Sequence, residues 1–116
     1  MLRTMILLAG LLALTGGIAP ASAASNAKQT ATTQAHRVHV IVIDKMQYGP
    51  MPTDVRAGDI IEWTNKDILE HSATARDGRF DVDLKPGASG RITATAGTLA
   101  FFCKFHPTMT GTLVVK

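Results

Sequence analysis

Short β-branched and apolar runs recur at spacings of roughly ten residues from Val38 to the end of the chain, each closed by Gly, Pro, Asn or Asp. This punctuation restricts the fold more than any other feature. Runs so brief cannot lay down a helical stripe, but they suffice for strands. Val38–Ile43 is one such run, with His39 in its midst. Gly49-Pro50-Met51-Pro52 marks a loop, and Arg56-Ala57-Gly58-Asp59 turns into Ile60-Ile61-Glu62-Trp63-Thr64. Alternation there places Ile61 and Trp63 on one face and Ile60, Glu62 and Thr64 on the other. Asn65-Lys66-Asp67, Arg76-Asp77-Gly78, Lys85-Pro86-Gly87 and Ala96-Gly97 carry turn chemistry. Between them, Ser72–Ala75, Arg91–Thr95, Thr98–Cys103 and Thr110–Val115 read as strands. Helical period is limited to an ambiguous patch near Asp67-Ile68-Leu69. The expected fold is all-β, a Greek-key β-sandwich of about seven to eight strands. Trp63, Ile61, Phe101, Leu99, Ile92 and Leu113 are its expected core.

The start of the chain has a different character. Arg3 is followed by an apolar run from Met5 to Leu14, a break at Thr15-Gly16-Gly17, and the small-residue motif Ala21-Ser22-Ala23. The pattern predicts a secretory signal peptide over residues 1–24 and hence a periplasmic protein. Residues 25–35 are polar and lack period, which predicts a flexible arm. The folded domain is expected over residues 36–116. The formal charge of +3 drops to about +2 once Arg3 is removed. The remaining charges are scattered, with no basic run, so nucleic-acid binding is not expected.

An exported domain of this size often depends on disulfides, yet Cys103 is the single cysteine. A lone thiol in an oxidising compartment is an inert core residue, a metal ligand or a nucleophile. Its neighbours narrow the choice. Cys103-Lys104-Phe105-His106-Pro107-Thr108-Met109 spaces Cys, His and Met three apart in a loop between two predicted strands. Pro107 keeps that loop out of regular structure, and a tight loop of this spacing can turn three side chains toward one point. His71, at the start of another strand, could supply a fourth donor. A thiolate, two imidazoles and a thioether form a soft set suited to copper, and two His, one Cys and a weak axial Met are the blue-copper arrangement. Zinc rarely uses a thioether, and magnesium and calcium require oxygen.

The Cys103-x-x-His106-x-x-Met109 loop, with the upstream His in Glu70-His71-Ser72, resembles the cupredoxins. The two-residue gap Pro107-Thr108 is similar to the amicyanin members of the amicyanin/plastocyanin group. The likeness extends through Gly58-Asp59, Ile61-Glu62-Trp63, Asn65, Pro86-Gly87, Ala96-Gly97-Thr98 and Gly111-Thr112-Leu113-Val114-Val115. It implies one copper ion, with His71 and His106 binding through imidazole, Cys103 through thiolate and Met109 axially. It also implies an apolar rim around His106, with Pro107, Met51 and Met46 as candidates, where redox proteins dock as electron donor and acceptor. Ser72 stands where cupredoxins usually have an Asn that ties this strand to the Cys loop. Glu70 replaces their common Pro, and Lys104-Phe105 replaces a more usual polar-Pro pair.

The expected function is a soluble, monomeric carrier of single electrons, with no small-molecule substrate. A periplasmic copper-binding or delivery protein is the alternative. Enzymatic use of Cys103 and His106 as nucleophile and base lacks an orienting third group and leaves Met109 without a purpose. His36 and His39 are expected to be ordinary histidines. Asp77, Asp81 and Asp83, alternating with Arg79 around Phe80, are expected to form a solvated edge.

Overall fold

The computed structural model describes Gly10, Ala13, residues 16–18 and residues 34–116. Most of the predicted signal peptide and most of the predicted arm lie outside the described residues. The chain divides into two units, Met1–Thr32 and Thr33–Lys116, and the second holds the fold.

Eight strands form it: β1 (Val38–Asp44), β2 (Gln47–Tyr48), β3 (Ile60–Asn65), β4 (His71–Ala75), β5 (Asp81–Leu84), β6 (Ser89–Thr93), β7 (Gly97–Phe102) and β8 (Thr110–Val115). They build two four-stranded sheets, ordered β2-β1-β3-β6 and β5-β4-β7-β8. β1 and β3 run parallel, from Val38 opposite Ile60 to Ile43 opposite Asn65. Every other strand pair is antiparallel. The all-β sandwich expected from the sequence is therefore the fold, with no helix among the described residues.

The inner faces follow from period-two alternation. Along β3, Ile61, Trp63 and Asn65 are buried while Ile60, Glu62 and Thr64 are half-buried on the outer face. The core joins Ile41, Ile43, Ile61, Trp63, Leu84, Leu99, Phe101 and Leu113, and Ile92 packs against it half-buried. Trp63 and Tyr48 both meet the Phe101 ring edge-on, with centroids 5.4 and 4.9 Å away, a geometry that ring quadrupoles favour. Gly111 lies opposite Phe101 in the β7–β8 ladder. A Cβ there would strike the Phe101 ring and come within 2.9 Å of the Met51 methyl.

Three elements differ from the sequence expectation. β6 begins at Ser89 rather than Arg91, because pairing with β3 sets Ser89 opposite Thr64 and Gly90 opposite Trp63. β5 is an added edge strand whose exposed Asp81 and Asp83 alternate with Val82 and Leu84. β2 is the short return of a hairpin whose two turn residues, Lys45 and Met46, have φ of 50° and 62°. Left-handed conformations favour Gly or Asn and cost other residues about 1–2 kcal/mol each. The Met46 amide is held by Asp67 Oδ2 at 3.0 Å and the Lys45 amide by Asp44 Oδ1 at 2.9 Å.

Candidate metal centre

Cys103 follows the last residue of β7 and Met109 precedes the first of β8. The loop between them is a nest of turns. The His106 amide donates to the Cys103 carbonyl at 3.2 Å and the Met109 amide donates to the His106 carbonyl at 2.9 Å. The Cys103 amide then donates to the Met109 carbonyl at 3.0 Å, extending the β7–β8 ladder by one rung. A spacing of three in sequence thus becomes two successive i→i+3 turns that gather the side chains. Cys103 is fully buried, Met109 is 5% exposed, and His106 is half-buried.

His71 enters from β4. That strand pairs with β7 at Thr74 and Ala75, so His71 and Ser72 lie beyond the ladder. Their polar groups are satisfied another way. The Ser72 amide points at Cys103 Sγ, 3.4 Å away, where sulfur takes the place of a ladder carbonyl. The Lys104 amide donates to Ser72 Oγ at 2.9 Å. Ser72 Oγ lies 2.9 Å from Thr74 Oγ1, which donates to Asp81 Oδ1 at 2.8 Å. A carboxylate can only accept, so Thr74 accepts in turn from Ser72, and the chain runs outward from Lys104 N–H to Asp81. Lys104 Nζ reaches the same carboxylate at 3.0 Å and Asp83 at 2.5 Å. The serine therefore makes the tie between β4 and the Cys loop that an Asn makes in the cupredoxin pattern, and the solvated edge of β5 anchors it.

His71, Cys103 and His106 each offer a donor atom, and these lie within 4.8 Å of one another. Cys103 Sγ is 3.8 Å from His71 Nδ1 and 3.6 Å from His106 Nδ1. Metal–sulfur and metal–imidazole bonds of about 2.3 and 2.1 Å place the two donors about 3.6 Å apart in a tetrahedral shell and about 3.8 Å apart in a trigonal one. The observed separations span this interval. The donor set and its spacing fit a soft ion held between the two shapes. Met109 closes the same loop with a buried thioether side chain.

The tautomer of His71 follows from its other nitrogen. Nε2 lies 2.9 Å from Asp67 Oδ2. The carboxylate accepts, so Nε2 carries the proton and Nδ1 keeps its lone pair for the centre. Hydrogen bonds from the His71 ring, and then from the Met46 amide, hold the Asp67 carboxyl well below the usual range, down to about 2. Asn65, fully buried, steadies the loop that carries Asp67. Its Nδ2 donates to the carbonyls of Leu69 (2.7 Å) and Leu84 (2.9 Å), and its Oδ1 accepts the Asp67 amide at 2.9 Å. Tyr48 donates to the Ser72 carbonyl at 2.5 Å, and burial beside Cys103 pushes its phenol above the ordinary value.

The structure brings the four residues nominated from the sequence to one end of the sandwich, three of them with donor atoms within 4.8 Å of one another. Pro107 and Met46 are exposed, whereas Met51 packs against the core cluster beside Gly111. Exposed Phe105, Ile68 and Leu69 flank the same loops and were not singled out from the sequence. Asp67 was read there as turn chemistry and as the start of an ambiguous helical patch. Its one signal was a carboxylate four residues before the candidate His, and its partner Met46 is remote in sequence. Among the described residues, His36 and His39 are not part of the cluster that could hold a metal ion.

A family model described as a cupredoxin-like domain matches residues 8–115. Amicyanin from Paracoccus versutus is 27% identical over 84 residues, spanning 66% of this chain and 64% of that protein's length. A reduced amicyanin carrying a proline-to-phenylalanine change superposes with a TM-score of 0.57 at 28% identity, covering 66% of this chain and 80% of its own. A Cu(I) amicyanin with a methionine-to-glutamine change gives 0.59 at 26% identity, covering 68% and 82%.

Proposed function

This chain belongs to the cupredoxin-like domain family, and we propose that it is a soluble, periplasmic carrier of single electrons. Its cofactor is one copper ion, which His71 and His106 would hold through imidazole, Cys103 through thiolate and Met109 through a weaker thioether. Copper held in this way gains and loses one electron at a centre whose shape hardly alters. The protein's part is to keep the donors still. The loop turns fix Cys103 and His106, the Ser72 amide offsets charge on the sulfur, and Asp67 fixes the ring of His71. The observation that carries the reading is the triangle of one buried thiol, one buried imidazole and one half-buried imidazole, with Sγ–Nδ1 separations of 3.6 and 3.8 Å.

Of the four donors, His106 has the most exposed surface. Exposed Phe105 (44%), Ile68 (87%) and Leu69 (44%) supply apolar area on the neighbouring loops. Redox proteins acting as donor and acceptor would dock on this face. A delivery protein needs ligands that let go of the ion, whereas His71 and Cys103 are fully buried and held by Asp67 and by the Ser72 amide. An enzyme needs an open coordination position, and four protein donors leave none.

Addition of cupric salt to the mature protein is expected to produce an intense visible thiolate-to-copper band at one equivalent, with an axial EPR spectrum of small copper hyperfine splitting. A pale, weakly bound ion would refute the reading. Copper lost rapidly to a chelator would favour delivery.

A further inference from the structure

Two structural observations meet at a single oxygen atom. Asp67 Oδ2 takes the Nε2–H of His71 at 2.9 Å and the Met46 amide at 3.0 Å. The second oxygen, Oδ1, takes the Ile68 amide at 2.8 Å. The Met46 amide comes from a turn in which Lys45 and Met46 both adopt left-handed backbone conformations. Strain of this kind persists where the surroundings over-determine it, often beside a functional site. The carboxylate is also sheltered, with 12% of its side chain exposed against 0% for His71. Little water or salt intervenes to screen its charge.

We propose that Asp67 is a positioning residue that sets the reduction potential of the centre. It bridges the β1–β2 turn and the His71 ring, holds Nδ1 toward Cys103, and adds a negative charge behind the imidazole. The proposal rests on the copper reading of His71, Cys103, His106 and Met109. A carboxylate on the far nitrogen makes the near nitrogen a stronger donor. The added electron density and charge favour Cu(II) over Cu(I), so Asp67 lowers the potential. Met46 supplies the restraint. Its amide occupies part of Oδ2 and fixes the carboxylate in the plane from which it can meet the ring.

The first arm of the test needs no metal. Long-range 1H–15N correlation on the copper-free wild type should show His71 as the Nε2–H tautomer, with a slowly exchanging ring proton. An Nδ1–H tautomer there would overturn the proposal. The second arm compares copper-loaded Asp67→Asn and Asp67→Glu by voltammetry. Asn keeps an acceptor oxygen and loses the charge. It should retain the visible band while the ratio of Cu(II) to Cu(I) affinity falls at least tenfold, a rise of about 59 mV or more for a one-electron couple. Glu keeps the charge and should stay within about threefold of the wild-type ratio. An Asn variant with the wild-type ratio, or a Glu variant displaced as far as Asn, would sink the electrostatic role. The two readings fail separately. A wild type that binds no copper removes the carrier function, and the ring tautomer in that same sample still decides whether Asp67 positions His71.

Discussion

Two carboxylate–histidine pairs flank β3, and they do different work. Asp59 lies just before the strand and pairs with His39; Asp67 lies just after it and pairs with His71. Both contacts run from Nε2 to Oδ2 at 2.9 Å, and all four side chains are largely buried. What separates them is the rest of each environment. Asp59 also takes the backbone amides of Arg37 and Arg56, each at 3.0 Å. It knots the start of β1 to the turn before β3. Asp67 takes one distant amide, and its histidine turns the free nitrogen toward a thiol. The same pair is structural where backbone amides surround the acid and chemical where soft donors surround the base.

Substitutions should separate the two ends. The largest effect is expected from Cys103→Ser, which should abolish the intense visible band of the copper-loaded protein while circular dichroism keeps the β signature. A strongly coloured variant would break the assignment of the chemical end. Next, Asp59→Ala strands two backbone amides and a histidine, and should lower the thermal midpoint by roughly 5–10 °C. Its copper spectrum should match wild type. A changed spectrum would show that the knot reaches the centre.

Acid should reveal the same contrast more gently. The Arg37 amide, then the His39 ring and the Arg56 amide, hold the Asp59 carboxyl below its ordinary value. A carboxyl depressed in the folded state contributes stability that is complete above the unfolded pKa of about 3.9 and is lost as pH falls toward the depressed value. Denaturant midpoints should therefore decline below about pH 4 in wild type, and less steeply in Asp59→Asn. Equal slopes would remove the linkage. The smallest effect is expected at the turn that feeds Asp67. Met46→Gly relieves a left-handed residue and should stabilise the domain by about 1 kcal/mol, read as a higher midpoint in urea. A loss of stability would mean that the Met46 side chain outweighs its backbone strain.

The contrast also explains what the sequence disclosed. Alternation in Ile60–Thr64 and Thr110–Val115 sorted the two faces of each strand directly, because successive side chains of a strand point to opposite sides. Cys103, His106 and Met109 were legible as a set because two local turns link them. Phe102, which alternation along β7 sets on the opposite face from Phe101, is half-buried with the Arg76 guanidinium 5.0 Å above its ring. β5 was read as acidic edge, since Asp is a poor strand former and only pairing with β4 makes it one. β2 is too short for any pattern. Asp67 was hidden for another reason. Asn-Lys-Asp looks like any turn, and its meaning depends on a backbone amide and a ring brought in from two other elements. Serine is shorter than the Asn usual at position 72, and Thr74 and Asp81 extend its hydrogen-bond chain outward.

The unequal exposure of the four donors carries a kinetic consequence. If the proposed carriage is right, a centre sheathed on all sides but one would have a single doorway, and a protein that filled it with charge would have to leave before another could empty it. Turnover would then be governed by how quickly each visitor departs, and a face that gripped either one tightly would stall the exchange.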